Sequence, residues 1–561
     1  MKKVVKVLAY ILIFIVAIIG SFVTYVEVLM VPRPPEIKDK SVLALNKVKA
    51  ADNFYRIGNN WLRKSKSGLW EEYIEGEPFE RGVITGKLNK ELLYKQEISF
   101  VARLQALVPN QTYLKCLDIF ARFFNRHLTE NIPLENQLEI YGESLSAPHE
   151  FDFIAPPYER MLNYHAAHDI GHMMQNFALV GCTSFAVWNG KTVDSTMLIG
   201  RNCDFYAGDK FAEDKLIYFC NPNQGHKFVM ITWGGMMGCL SGMNEEGVTV
   251  TINAAKSDMP TGSATPISIL SREILQYASN IDEAYAIARS KKTFVAEAIM
   301  IGSAADHKTA IIEKSPTKTA LYFSGKDYIL CTNHFQSDTF LNDKNNVENI
   351  AVSASMYRYQ RLQELVGATS KFNYLSAAAV LRDLKGQHDK NIGIGNEKAI
   401  NQLICHHSVI FEPEKLRFWV STYPYQLGKF VCYDLKMVFD NALNPKENEE
   451  INETDLTIPA DSFVYSEGWK GFLKYKEFKA QLERAIKNGQ PLPDESAVEN
   501  GIIQANAEYW ETYDWLGLYF KARKDREKAL KYFKTALTKE VNDKLEEAEI
   551  NKSIHELDSK K

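Results

Sequence analysis

A cysteine stands directly behind a glycine at Gly181-Cys182, and Thr183 and Ser184 follow. Glycine leaves its carbonyl sterically open, so the thiol can attack the peptide bond that precedes it. Cleavage there would make Cys182 a new chain terminus. Its free α-amine, with a pKa of roughly 7.7–8, can take the proton from the thiol near neutral pH. Nucleophile and base are then one residue, the cysteine form of the arrangement in which a terminal amine activates the adjacent nucleophile. The tetrapeptide alone does not decide the matter, because it also arises by chance and free cysteines are among the most buried side chains.

Its company further along the chain is more telling. Gly200-Arg201-Asn202-Cys203-Asp204-Phe205 comes next. Gly242-Met243-Asn244-Glu245-Glu246-Gly247-Val248 then leads through an apolar run to Asn253, and Tyr328-Ile329-Leu330-Cys331-Thr332-Asn333-His334-Phe335 ends a further apolar run on an asparagine. In order and rough spacing these motifs resemble the N-terminal-nucleophile (Ntn) amidases that include isopenicillin N acyltransferase, bile salt (choloylglycine) hydrolase and acid ceramidase. The resemblance spans about residues 181 to 440. It implies an α+β fold, the four-layer αββα sandwich, with self-cleavage between Gly181 and Cys182.

The resemblance also implies roles for single residues. Arg201, which alone would read as half of a surface ion pair, becomes the cation that stabilises the Cys182 thiolate. Asp204 orients proton transfers at the new amine or the scissile amide, or else simply pairs with Arg201. Amide cleavage passes through an oxyanion, and one donor aimed at it is worth roughly 3–4 kcal/mol. Asn333 is the stronger candidate for that donor and Asn253 the weaker. A further family arginine corresponds to Arg358 or, equally, to Arg361. No cofactor is expected. The partner is a small acyl amide, which leaves bile acid conjugates, fatty acyl amides, acylated amino acids and β-lactam-like amides open, with hydrolysis or acyl transfer as the outcome.

The rest of the chain must position these groups. At 561 residues it exceeds one core, and a net charge of −4 gives no basic excess for nucleic acid. The eight cysteines include no C-x-x-C pair and lie mostly in or beside apolar runs, as buried thiols do. Val7 to Val26 is an uncharged, mostly apolar run behind Lys2, Lys3 and Lys6. It is long enough to span a bilayer, and the lysines place the N-terminus in the cytoplasm. An uncleaved anchor is favoured over a signal peptide, because bulky residues follow the small cluster Ala17 to Ser21. The catalytic part is then expected outside the cytoplasm.

Five regions are expected: residues 1–35 as anchor and proline-stiffened exit, 36–181 as a helical prodomain, 182–440 as the Ntn domain, 441–464 as an acidic linker and 465–561 as a helical tail. In the tail, Tyr513, Leu516, Gly517, Phe520, Ala529, Phe533 and Ala536 match one tetratricopeptide repeat, and a single repeat must pack on something else. Short β-like runs after Cys182, among them Thr183–Trp188, Val248–Ile252 and Tyr328–Cys331, are separated by helical stretches, as stacked sheets covered by helices require. His165, His168 and His172 share one helical face with Asp169 beside them. A metal site is one reading, and a hydrogen-bonded helix facing the catalytic domain is the default. The cleaved chains are expected to stay together. The rival functional reading is a membrane scaffold on an inactive Ntn fold, which the intact Cys, Arg, Asp and Asn set argues against.

Overall fold

The computed structural model describes residues 2–107, 119–166, 181–256, 262–443, 445 and 450–559. Two β-sheets carry the site. The smaller has seven strands, in the spatial order Tyr328–Cys331, Thr183–Val187, Leu198–Cys203, His407–Glu412, Arg417–Ser421, Phe430–Asp434 and Glu453–Ile458. The larger has eleven. Seven of them lie between Leu216 and Tyr322, and the other four come from residues 48–76.

Both sheets are apolar on both faces, and period-2 alternation explains how. In Leu216–Pro222, Ile217 and Phe219 join a cluster shared with Val409, Phe411 and Phe418 of the smaller sheet. The alternate residues Leu216, Tyr218 and Cys220 join a cluster with residues of the helices Pro78–Leu88, Leu134–Ser144 and Ile267–Tyr277. On the smaller sheet, Phe185, Val187 and Ile410 turn the other way, towards Leu362, Val366 and Leu381 of the helices Ser355–Ala368 and Tyr374–Leu381. Strands buried on both faces read in sequence as continuous apolar runs, which is how most of those after Cys182 were legible.

Two expectations fail. Residues 36–181 are not wholly helical: Val48–Ala51, Phe54–Ile57, Asn60–Lys64 and Trp70–Gly76 are strands, and the last pairs in parallel with Leu216–Pro222. Their turns carry Asn53 and Gly58 at positive φ, so the chain reverses every few residues and leaves no helical periodicity. The acidic stretch 441–464 is not only a linker. Glu453–Ile458 adds an edge strand to the smaller sheet, with Ile458 buried in the cluster that holds Trp419. Charge on an edge strand faces solvent and blunts further pairing, so it resembles linker composition.

The apolar N-terminal run forms the helix Lys2–Leu29, in which Val4–Val26 is long and apolar enough to cross a membrane; its most apolar stretch is exposed, and Val26 at its end is buried. At the other end, Trp510–Ala522 and Arg526–Ala536 pack so closely that a Cβ on Gly517 would lie 2.6 Å from the Phe533 ring. The tail docks on the region before it: Leu403, Cys405, Tyr425 and Leu427 share one apolar cluster with Tyr475, Trp510 and Phe520.

The histidine helix is used structurally where it is described. His165 is fully buried; Nδ1 donates to the Met161 carbonyl at 2.8 Å and Nε2 accepts from the Met237 amide at 2.8 Å. Both ring nitrogens are committed to the backbone, so His165 is not available as a metal ligand; His168, His172 and Asp169 lie outside the described residues. Burial holds the His165 pKa down to about 4. An imidazole depressed in the folded state from an unfolded value near 6.5 contributes full stability above about pH 6.5 and loses it as pH falls towards 4, a span on the order of 3 kcal/mol. Melting temperature in the wild type should therefore fall more steeply between pH 6.5 and 4 than in His165→Gln, as calorimetry over that range would register. Parallel curves would show that His165 does not titrate on unfolding.

Candidate active site

Cys182 lies just ahead of the strand Thr183–Val187, whose neighbours on either side are Leu198–Cys203 and Tyr328–Cys331. That placement brings three of the sequence motifs to one sheet. Gly200 is required for the approach: a Cβ there would meet the Phe185 ring at 2.5 Å. The following residue, Arg201, is fully buried and points at Cys182, with Nη2 donating to Cys182 Sγ at 3.4 Å and to the Ile252 carbonyl at 2.8 Å. Nη1 donates to Ser241 Oγ at 2.5 Å and lies 3.2 Å from His407 Nε2. A desolvated guanidinium held by these acceptors stabilises negative charge on the sulfur. The structure thus removes the surface ion-pair reading of Arg201.

The choice between the two arginines is resolved by geometry. Arg358 Nη1 donates to the Cys182 carbonyl at 2.8 Å and Thr183 Oγ1 at 2.9 Å, and Nη2 donates to Asn333 Oδ1 at 2.7 Å. Arg361 instead pairs with Asp383, Asp389 and Glu364. Thr332 and His334 seat the asparagine between them: their side chains meet Ser355 Oγ at 3.0 and 2.8 Å, and Ser355 Oγ accepts from the Asn333 amide at 2.8 Å. Ser355 opens the helix that carries Arg358, so Thr-Asn-His and the arginine are placed by one contact.

The two asparagines differ in what they have left to give. A side-chain amide has two N–H donors. Asn253 spends Nδ2 on the carbonyls of Cys331 at 3.2 Å and Thr332 at 3.3 Å, while its Oδ1 accepts from Ser184 Oγ at 2.8 Å. Asn333 spends one donor on the Ala254 carbonyl at 2.9 Å and, among the described residues, retains a second. Asn333 is also the partly exposed member of the pair, whereas Asn253 is fully buried. Both facts favour Asn333 as the donor to a developing oxyanion.

Asp204 is fully buried. Burial, and next the charge of neighbouring Cys182, push its carboxyl well above the usual carboxylate range. Its Oδ2 accepts from Gln402 Nε2 at 3.2 Å, and its backbone carbonyl accepts from the Gly181 amide at 3.0 Å. It is therefore linked to the Gly181-Cys182 junction. No ion pair to Arg201 is formed, so the pairing alternative fails.

Other motif residues turn out to hold the frame. Asn202 donates to the carbonyls of Leu381 and Ile400, both at 2.9 Å. Asn244 Oδ1 accepts from the amides of Glu246 and Val248, and Gly247 takes φ +72°, so Gly-Met-Asn-Glu-x-Gly is a hairpin turn. Sequence reading missed Gln402, Ser241 and His407. None lies in a motif that flags chemistry, and each reaches the site only through tertiary folding. None of the seven described cysteines forms a disulfide.

Residues 188–422 match the family model described as acyl-coenzyme A:6-aminopenicillanic acid acyl-transferase. That range holds Arg201, Asp204, Asn253, Asn333 and Arg358, and begins just after Cys182. Solved structures with a likeness include an N-acylethanolamine-hydrolyzing acid amidase orthologue from Caenorhabditis elegans, 18% identical over 42% of this chain and 93% of that one, with a TM-score of 0.30. A variant of conjugated bile acid hydrolase from Clostridium perfringens is 14% identical over 47% and 95%, with a TM-score of 0.30. Penicillin V acylase from Agrobacterium tumefaciens is 12% identical over 43% and 83%, with a TM-score of 0.28. An uncharacterised protein of Archaeoglobus fulgidus is 23% identical over 206 residues, 33% of this chain and 34% of that protein, so the match spans about a third of the relative's length. The match to the acyltransferase family model, over a little under half of the chain, agrees with the resemblance its motifs carry.

The Arg201 contact carries a direct test. In Arg201→Ala, alkylation of Cys182 by iodoacetamide at neutral pH should slow by about tenfold or more, since the thiolate is the reacting form. Mass spectrometry of the Cys182 peptide over time would follow it. Unchanged alkylation would leave Arg201 a purely structural group.

Proposed function

We propose that this protein is a cysteine Ntn hydrolase, activated by cleavage between Gly181 and Cys182, that breaks a linear non-peptide amide through an acyl-thioester on Cys182. The observation that carries the reading is the convergence on the Gly181-Cys182 junction of Arg201 at the sulfur, Arg358 at the Cys182 carbonyl and the Asp204 main-chain carbonyl at the Gly181 amide. The match to an acyltransferase family and the apolar packing on both faces of each sheet, as an αββα sandwich needs, support it.

In the first reaction the thiol would add to the Gly181 carbonyl, the amide nitrogen would leave with a proton, and water would open the thioester. Asp204, kept protonated more readily by burial, suits delivery of that proton. In turnover the freed α-amine of Cys182 would deprotonate the thiol, the sulfur would attack the substrate carbonyl, and Asn333 would donate to the oxyanion. Water or an amine would then release the acyl group. Arg358, by holding Asn333 Oδ1 and Thr183 Oγ1, would fix donor and nucleophile relative to one another.

The two chains would remain associated. The strand Trp70–Gly76 is hydrogen-bonded to Leu216–Pro222 across the cleavage point, and Glu139 sits fully buried between Arg81 at 3.3 Å and Arg272 at 3.4 Å. Burial pushes Glu139 up, but the two arginines outweigh it and hold the carboxyl below its usual range. The helix Lys2–Leu29, with Lys2, Lys3 and Lys6 in its first turns, would anchor the assembly with its catalytic part outside the cytoplasm.

Purified wild-type protein should run as two chains, the larger beginning at Cys182 by N-terminal sequencing, and Cys182→Ala should run as one. An active preparation that remains a single polypeptide would sink the mechanism. In processed Asn333→Ala, turnover of a responsive acyl amide should drop by about a hundredfold or more with the fold retained. Near-normal turnover would remove Asn333 from the site.

A further inference from the structure

Gln402 belongs to no motif, yet it makes the shortest side-chain hydrogen bond to the cleavage junction. Its Nε2 donates to the Gly181 carbonyl at 2.6 Å and to Asp204 Oδ2 at 3.2 Å, and the residue is buried. Two acceptors on one side fix which way the amide faces: its NH2 end must turn towards them. The approach needs glycine at position 181, where a Cβ would fall 2.8 Å from Gln402 Oε1 and 2.9 Å from Nε2. The loop bearing Gln402 is itself held. Asn202 donates to the Ile400 carbonyl, the Leu403 amide donates to Asn401 Oδ1 at 3.1 Å, and Leu403 and Cys405 are buried in the cluster shared with the tail helices.

We propose that Gln402 is a catalytic residue of self-cleavage, donating to the oxyanion that forms on the Gly181 oxygen, and that it serves this reaction separately from Asn333. The inference rests on the self-cleavage reading given above. The two donors stand on opposite sides of Cys182. Gln402 holds the carbonyl before it, whereas Asn333 is tied through Arg358 to the carbonyl after it. When Sγ bonds to the Gly181 carbonyl carbon, the π electrons move onto the oxygen that Gln402 already touches. The carbon–nitrogen bond then breaks, the thiol proton ends on the departing nitrogen, and an acyl-thioester remains. Water adds to it, giving the Gly181 carboxylate and the Cys182 thiol with no other reactant. Charge grows on that oxygen as sulfur adds, so a preplaced donor is worth more in the transition state than in the resting precursor.

This placement also gives the tail a function in maturation. Leu403 and Cys405, which follow Gln402, share one apolar cluster with the tail helices, so the C-terminal region supports the donor although it is remote in sequence from the cleavage point.

The test follows precursor loss and product formation on denaturing gels for the full chain, with and without hydroxylamine, in wild type, Gln402→Leu and Gln402→Met. Removing the donor should lengthen the half-time of cleavage by about a hundredfold or more. Hydroxylamine should not restore the rate, because the step lost precedes the thioester. Turnover per cleaved molecule should fall far less than the rate of cleavage does. Cleavage at the wild-type rate in either folded variant would overturn the proposal, as would rescue by hydroxylamine. An equal loss of turnover in the cleaved fraction would also overturn it, by placing Gln402 at the substrate oxyanion instead. If Gln402→Leu fails to fold, Gln402→Met, of similar length and equally without a donor, decides. A wild type that never cleaves would instead refute self-cleavage itself, an outcome distinct from normal cleavage in the variants.

Discussion

Two guanidinium groups are buried around one cysteine, and most of the architecture near the site answers the demand this creates. A buried cation is costly unless its donors are satisfied. Arg201 meets most of the requirement through its two Nη atoms, with Ser241, the Ile252 carbonyl and the Cys182 sulfur, and Arg358 does so with the Cys182 carbonyl, Thr183 and Asn333, while the Nε of each has no partner among the described residues. These acceptors come from both sheets and from the end of the strand Tyr328–Cys331. The sheets must therefore be correctly stacked before the Arg201 charge can be buried. The same contacts orient the nucleophile, so stability and preorganisation share one set of hydrogen bonds.

The N-terminal region is built into this arrangement and does not merely precede it. Its four strands lengthen the larger sheet, and its helices cover that sheet's outer face. The close approach of Pro78–Leu88 and Leu134–Ser144 depends on glycine, since a Cβ on Gly82 would lie 2.0 Å from the Glu139 carbonyl oxygen. Glu139 then neutralises Arg81 and Arg272 from opposite sides of the cleavage point. An ion pair of this kind adds little net stability over an apolar substitute, but losing one partner would strand a buried charge. The expected consequence is that the two segments are committed to one another whether or not the chain between them is intact.

Neutral histidines complete the polar interior. His165 caps the amide of Met237, and His407 lies between Ser241 and His406 behind Arg201. Burial is the first cause of the downward shift in both His406 and His407, with Lys215 or a neighbouring histidine and Arg201 adding to it. An uncharged imidazole can accept from a donor beside a guanidinium without adding like charge, which a protonated one could not do.

Sequence alone carried the chemistry and much of the local structure. Gly-Cys, Gly-Arg-Asn-x-Asp and Thr-Asn-His identified residues that converge, because they stand in or beside strands that apolar runs make visible. The strands before the cleavage point were not legible, being short, turn-rich and without a sustained period; the edge strand Glu453–Ile458 was hidden by its charge. The choice of Arg358 over Arg361 was likewise undecidable in sequence, since both lie on the same short helix and only the stacked sheet shows which one faces Cys182. Gln402 and Ser241 had no signal at all. A hydrogen bond between Gly181 and Gln402 joins residues far apart along the chain, and only the folding of the intervening strands and the docking of the tail bring them together.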